Sequence, residues 1–158
     1  MNRRPLLVSG FVLGVGLGGL LDGIILHQIL QWHHLVSSVY PTDTLQGLEL
    51  NTLWDGLFHI VMYVITAVGL FLLWRAVTRR GAVHSPRTVI GALLLGVGSF
   101  HVLDSVLNHW VLGIHHICYE PNAAACDAGF FALGIVFLIA GGALVRGNDR
   151  RARIEIED

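Results

Sequence analysis

The chain has 158 residues, 54% of them hydrophobic and only 13% charged, with a formal net charge of -1 and a mean hydropathy of +0.65. That is too apolar and too lightly charged for an ordinary soluble domain, and the near-neutral balance carries no nucleic-acid footprint. No serine, cysteine and histidine arrangement signals a hydrolase.

Crossing roughly 30 Å of hydrocarbon at about 1.5 Å per residue takes about 20 apolar residues. Four stretches qualify, residues 6–30, 53–75, 88–113 and 126–146. The expectation is an all-α protein, a four-transmembrane-helix bundle forming a single integral membrane domain over residues 1–158.

The first stretch opens MNRRPLLVSGFVLGVGLGG, which has the arginines, apolar run and small residues of a signal peptide. The same pattern recurs later in the chain, where it cannot be a leader, so this helix is expected in the mature protein. GVGLGG at residues 14–19 matches a nucleotide fingerprint only in letters, because that motif needs a preceding strand. Inside an apolar helix, Gly10, Gly14 and Gly18 mean close helix packing instead.

The helix then runs into LDGIILHQILQWHH, residues 21–34, with Asp22, His27, His33 and His34. Titratable groups in a membrane helix cost a few kcal/mol even on the mild insertion scale, so they are rarely left there without a task. The second stretch carries Asp55 and His59 in WDGLFH, four apart and on one helix face. A loop of arginines with a solvated His84 follows. The third stretch brings His101, Asp104 and His109, His115 and His116 follow just beyond it, and the fourth starts at Cys126 and Asp127. Residues 148–158, ending RIEIED, read as a flexible cytoplasmic tail.

All ten basic residues are arginines, at positions 3, 4, 75, 79, 80, 87, 146, 150, 151 and 153, and the other two loops have none. The positive-inside rule therefore puts both termini and the middle loop in the cytoplasm, with the arginines against anionic lipid head groups. Cys118 and Cys126 fall in an outer loop, where an oxidising compartment favours a disulfide over a copper(I) relay.

Shifting the chain by 82 lays residues 13–35 over 95–117 with ten of 23 positions identical. Four identities are polar: Asp22 with Asp104, His27 with His109, His33 with His115, and His34 with His116. Asp55 pairs more weakly with Asp127, His59 faces Phe131, and His101 stands where the first helix has Gly19. Two hairpins of one orientation follow, residues 6–80 and 87–147, related by a pseudo-twofold axis along the membrane normal.

Counting about 1.5 Å per residue from the arginines puts Asp22, Asp104, His59, His101, Asp55, Asp127, His27 and His109 in one layer about 20 to 33 Å up. The pairs His33–His34 and His115–His116 come out about 10 Å higher, as a separate outer metal site or as interfacial residues. At 100° per residue His27 and His34 share a face, as do Asp22 and His33, but Asp22 and His27 differ by about 140°. Two polar stripes result, and one of them is free to face a neighbouring protomer in an oligomer.

Imidazole and carboxylate from several helices at one height suit copper, iron, zinc or manganese, with copper favoured by first-row affinity. The ligand expectation is His27, His59 and His109, with Asp22, Asp55 and Asp104 as ligands or supports and His101 as an additional candidate. A haem b between His27 and His109 is the less favoured cofactor, because nearby carboxylates suit a bare ion better. Two other readings use the same residues: a proton relay in a transporter or channel, and interhelical hydrogen bonds in a structural or assembly subunit.

LDGIILHQILQWHH, with WDGLFH and HVLDSVLNHW, resembles an uncharacterised family of small bacterial inner-membrane proteins, a domain of unknown function, over essentially the whole chain. The resemblance implies four transmembrane helices in a bacterial inner membrane. It also points to respiratory-oxidase or metal-assembly proteins as partners, which turns the metal toward copper.

Overall fold

The computed structural model describes residues 3–82, 85–119 and 121–157, with backbone alone over 148–157. His84 lies outside the described residues. Every regular element among them is helical: α1 Arg4–Asp22, α2 Leu45–Thr78, α3 Pro86–Asp104 and α4 Ala123–Glu157. α1 and α3 each continue into a π-helical segment, Gly23–Ile29 and Ser105–Val111. The spans long and apolar enough to cross a membrane are Arg4–Ile29, Leu45–Thr78, Pro86–Val111 and Ala123–Gly147. α4 itself runs on as helix to Glu157, through the segment expected as a flexible tail.

Local chemistry explains the helix starts. The Thr44 side chain caps α2 by accepting from the Gly47 amide at 3.0 Å, and Ser85 caps α3 by accepting from Thr88 at 3.2 Å. Proline opens α1 and α3, where its missing N–H would lack a helical partner anyway.

The four helices form a row rather than a square bundle: α1 packs on α3 at the centre, α2 flanks α1, and α4 flanks α3. The central pair approaches so closely because Gly14 and Gly96, aligned with each other in the sequence shift, meet at the crossing. A Cβ on Gly14 would lie 2.1 Å from the Leu93 carbonyl oxygen, and one on Gly96 would lie 2.2 Å from that of Phe11. The expected glycine packing is thus a backbone-to-backbone contact.

The outer faces of α2 and α4 are bare hydrocarbon, including Leu57, Ile60, Val64, Val68, Val136 and Ile139. Such a surface is stable in lipid and aggregation-prone in water. Apart from Ser9 and Thr88, the buried polar groups lie at the end of the spans away from the arginines, beside the turns after the π segments.

Candidate metal centre

The two π segments decide the site. In a turn closed by i→i+5 hydrogen bonds, residues five apart stand nearly over one another. The Leu30 amide donates to the Ile25 carbonyl at 2.8 Å and the Leu112 amide to that of Leu107 at 2.8 Å. Asp22 and His27 thereby come onto one face, Nε2 to Oδ2 3.4 Å, and Asp104 and His109 likewise at 3.1 Å. The wide angular separation of Asp22 and His27 expected from α-helical phase is corrected by this change of helix type.

The chain then doubles back. Gln31 takes a left-handed φ of 49°, and Gly113, the residue aligned with it in the second hairpin, takes 59°. The turns bring His33 and His115 down beside His27 and His109, with ring centroids 4.3 and 4.8 Å apart. The exterior His pairs therefore do not form a separate layer above the rest, because straight helical continuation fails at Leu30 and Leu112.

Two trios result, Asp22–His27–His33 and Asp104–His109–His115, all buried, each offering one ligand atom per residue within 4.8 Å of the others. His33 and His115 stack across the join at 4.8 Å, so the trios are neighbours. Most of their donor atoms lack hydrogen-bond partners among the described residues: Asp22 Oδ1, His27 Nε2, both nitrogens of His33, Asp104 Oδ2, His109 Nε2 and His115 Nε2. A buried polar atom left unpaired costs about 1–3 kcal/mol, so a ligand that paired these atoms would be bound with that cost relieved.

A second tier holds the histidines in place. Asp55 Oδ1 accepts from His27 Nδ1 at 2.8 Å and from the Leu35 amide at 2.9 Å, while Oδ2 accepts from His34 Nδ1 at 2.6 Å and Gln28 Nε2 at 3.3 Å. Asp127 does the same for the other hairpin, accepting from His116 Nδ1 at 2.7 Å and the Ile117 amide at 2.9 Å, with His109 Nδ1 3.1 Å away but off line. His115 Nδ1 donates to the Leu35 carbonyl at 2.9 Å. With Nδ1 of His27 and His115 as donors, Nε2 of each keeps its lone pair for the trio.

Burial pushes the His33 imidazole down to about 2, so it stays neutral and able to ligate. Asp55 is saturated by four N–H donors, and each oxygen of Asp127 accepts one. The His34 and His116 imidazoles bind these carboxylates, outside the trios.

The remaining candidates stand apart. His59 lies between α1 and α2 with Nε2 against Gly23, where a Cβ would come within 2.4 Å. His101 donates from Nδ1 to the Val97 carbonyl at 3.0 Å and stacks on Phe130 at 4.2 Å. Cys118 and Cys126 form a disulfide beside Ile117 and Asp127. His33 and His115 are the residues whose place the sequence misjudged; the twice-used spacing of five between Asp and His was the signal for a π turn.

These features define a multi-pass helical membrane protein with two adjoining buried His/Asp clusters able to hold metal ions. Residues 9–148 match the family described as "Predicted membrane protein (DUF2243)", and the chain belongs to it. No curated protein and no solved structure matches the chain.

Proposed function

We propose that this is a bacterial inner-membrane metalloprotein that holds transition-metal ions in the two trios, near the outer face, for metal handling or redox chemistry. The observation that carries this reading is the pair of matched sets, each one carboxylate and two imidazoles, buried with their lone pairs unspent. Two nitrogens and one oxygen leave coordination positions open, a donor set that suits copper(II) or iron, with zinc as a further choice; copper is favoured by affinity. A bound ion there would supply Lewis-acid or redox chemistry. Asp22, His27 and His33 would hold one ion and Asp104, His109 and His115 the other, with Asp55 and Asp127 orienting the imidazoles. The stacked His33 and His115 leave no slot for a haem between His27 and His109, which favours bare ions.

The arginine distribution supports cytoplasmic termini, and the disulfide at the opposite end supports an oxidising outer compartment. Respiratory-oxidase or metal-assembly proteins remain the partners this reading implies, in addition to the bilayer.

A second reading is a proton relay. It is favoured by the His27–Asp55–His34 hydrogen-bonded chain, with contacts of 2.8 and 2.6 Å, and by Asp22 standing 3.4 Å from the far nitrogen of His27. The deciding experiment is elemental analysis of protein purified in mild detergent without a metal-binding tag, then supplemented with copper, iron or zinc. The metal reading expects up to two ions per chain, lost in the His27→Ala/His109→Ala double variant. Empty protein after supplementation overturns it, and pH-driven proton flux in liposomes would then support the relay.

A further inference from the structure

The two hairpins tie down the segment after their trios by different means. One bond is shared: the Leu35 amide donates to Asp55 and the Ile117 amide to Asp127, both at 2.9 Å. The next residue is then fixed to the following helix. In the first hairpin the Val36 amide donates to Asn51 Oδ1 at 3.2 Å, and the fully buried Asn51 donates in turn to the Tyr40 and Gly47 carbonyls at 2.6 and 2.9 Å. In the second hairpin Cys118 aligns with Val36, and Ala123, with no side-chain acceptor, aligns with Asn51. There the tie is the Cys118–Cys126 disulfide, with Cα atoms 6.1 Å apart.

Each cysteine is the chain neighbour of one partner in the Ile117–Asp127 bond, and Cys118 lies three residues beyond His115 of the second trio. The disulfide thus clamps the segment carrying His115 and His116 to the start of α4. Of the two ties, only this one is opened by electrons, and both of its cysteines are half-buried rather than sealed in the core.

We propose that the disulfide is a redox control on the second trio alone: oxidised, it holds His115 and Asp127 in register for the ion; reduced, it loosens that ion and leaves the first trio unaffected. The reductant is a dithiol. One of its thiolates attacks a protein sulfur to give a mixed disulfide, and its second thiol displaces the remaining protein sulfur, so the dithiol ends as a disulfide and Cys118 and Cys126 as two thiols. His115 keeps its bond to the Leu35 carbonyl, so ion binding weakens rather than vanishes. The proposal rests on the metalloprotein reading and adds its regulation.

The test uses full-length protein in mild detergent. Calorimetric copper titration compares oxidised wild type with Cys118→Ser/Cys126→Ser, which has neither the disulfide nor a thiol to bind the ion. Expected is about tenfold weaker affinity, the lower end for a lost supporting contact, in the event that His109→Ala removes, with no change in the event that His27→Ala removes. Asn51→Ala should weaken the His27-dependent event instead. Asp127→Asn should cost less in the serine variant than in wild type, because both changes act through one contact. In metal-free wild type, dithiothreitol should speed hydrogen exchange in peptides spanning residues 114–119 and leave residues 32–37 unchanged. Equal weakening of both events, unchanged affinity in both, or a disulfide that dithiothreitol fails to open in the folded protein would overturn the proposal and leave the metalloprotein reading standing. Protein that stays empty with copper, iron and zinc would overturn both.

Discussion

Replacing Asp55 by asparagine tests how the first trio is held. The carboxylate takes four N–H donors, from His27, His34, Leu35 and Gln28, at 2.6 to 3.3 Å. An asparagine offers one acceptor oxygen, and its amide group would point N–H at N–H. Either the His27 or the His34 contact must break, and a hydrogen bond to a charged group is worth about 1.5–3 kcal/mol. If His27 is the one released, its Nδ1–H loses its anchor and Nε2 loses both orientation and basicity. Loss of such a supporting carboxylate lowers metal affinity about 10–100-fold, or roughly 1.4–2.7 kcal/mol.

Calorimetric copper titration in detergent should therefore show Asp55→Asn weakening one of two binding events by that factor and sparing the other. Asp127→Asn should weaken the complementary event. Its effect should be smaller, because His109 Nδ1 sits off line from Asp127. Unchanged affinity in both variants, with folding intact, would refute the claim that these carboxylates act through the histidines.

Gln31→Gly removes a left-handed strain of about 1–2 kcal/mol in part, and should raise the melting temperature by about 2–4 °C, whereas Gly113→Ala should lower it. Gly96→Leu drives a side chain into the Phe11 carbonyl at the α1–α3 crossing, so size-exclusion profiles should show misfolded or aggregated protein and metal should be lost from both trios. Reducing the Cys118–Cys126 disulfide opens a short loop, at about 2.5 kcal/mol by the chain-entropy model, visible as a lower melting temperature with dithiothreitol that a Cys118→Ser/Cys126→Ser variant does not show. Acid acts through His33, which titrates near 2 when folded and near 6.5 when unfolded, so below pH 6.5 the unfolded chain takes up a proton that the folded protein refuses. Its contribution is complete above that pH and is lost as pH falls, by about 2 kcal/mol at pH 5. Metal-free wild type should lose more stability between pH 7 and 5 than His33→Gln, and equal losses would contradict the assignment.

Much of the fold was written in local composition. Long apolar runs, arginines confined to alternate loops and glycines at Gly14 and Gly96 are properties that a helix in lipid imposes residue by residue. Asp22, His27, Asp104 and His109 stood out as site candidates for the same reason, since ionisable groups are expensive there. His59 and His101 met that criterion equally well, yet neither joins a trio, because what faces each is set by the neighbouring helix and not by its own.

What the sequence alone determined is therefore the number of spans, the membrane class and the titratable residues set into the spans. Which of them meet was decided by tertiary structure. A helix has one phase on paper, but here the backbone trades i→i+4 for i→i+5 bonds at Gly23 and Ser105 and reverses at Gln31 and Gly113. Those departures are unfavourable locally and are stabilised by contacts made elsewhere, among them Asp55 and Asp127 on the flanking helices and the His115–Leu35 and Ser38–Ile114 bonds across the hairpins.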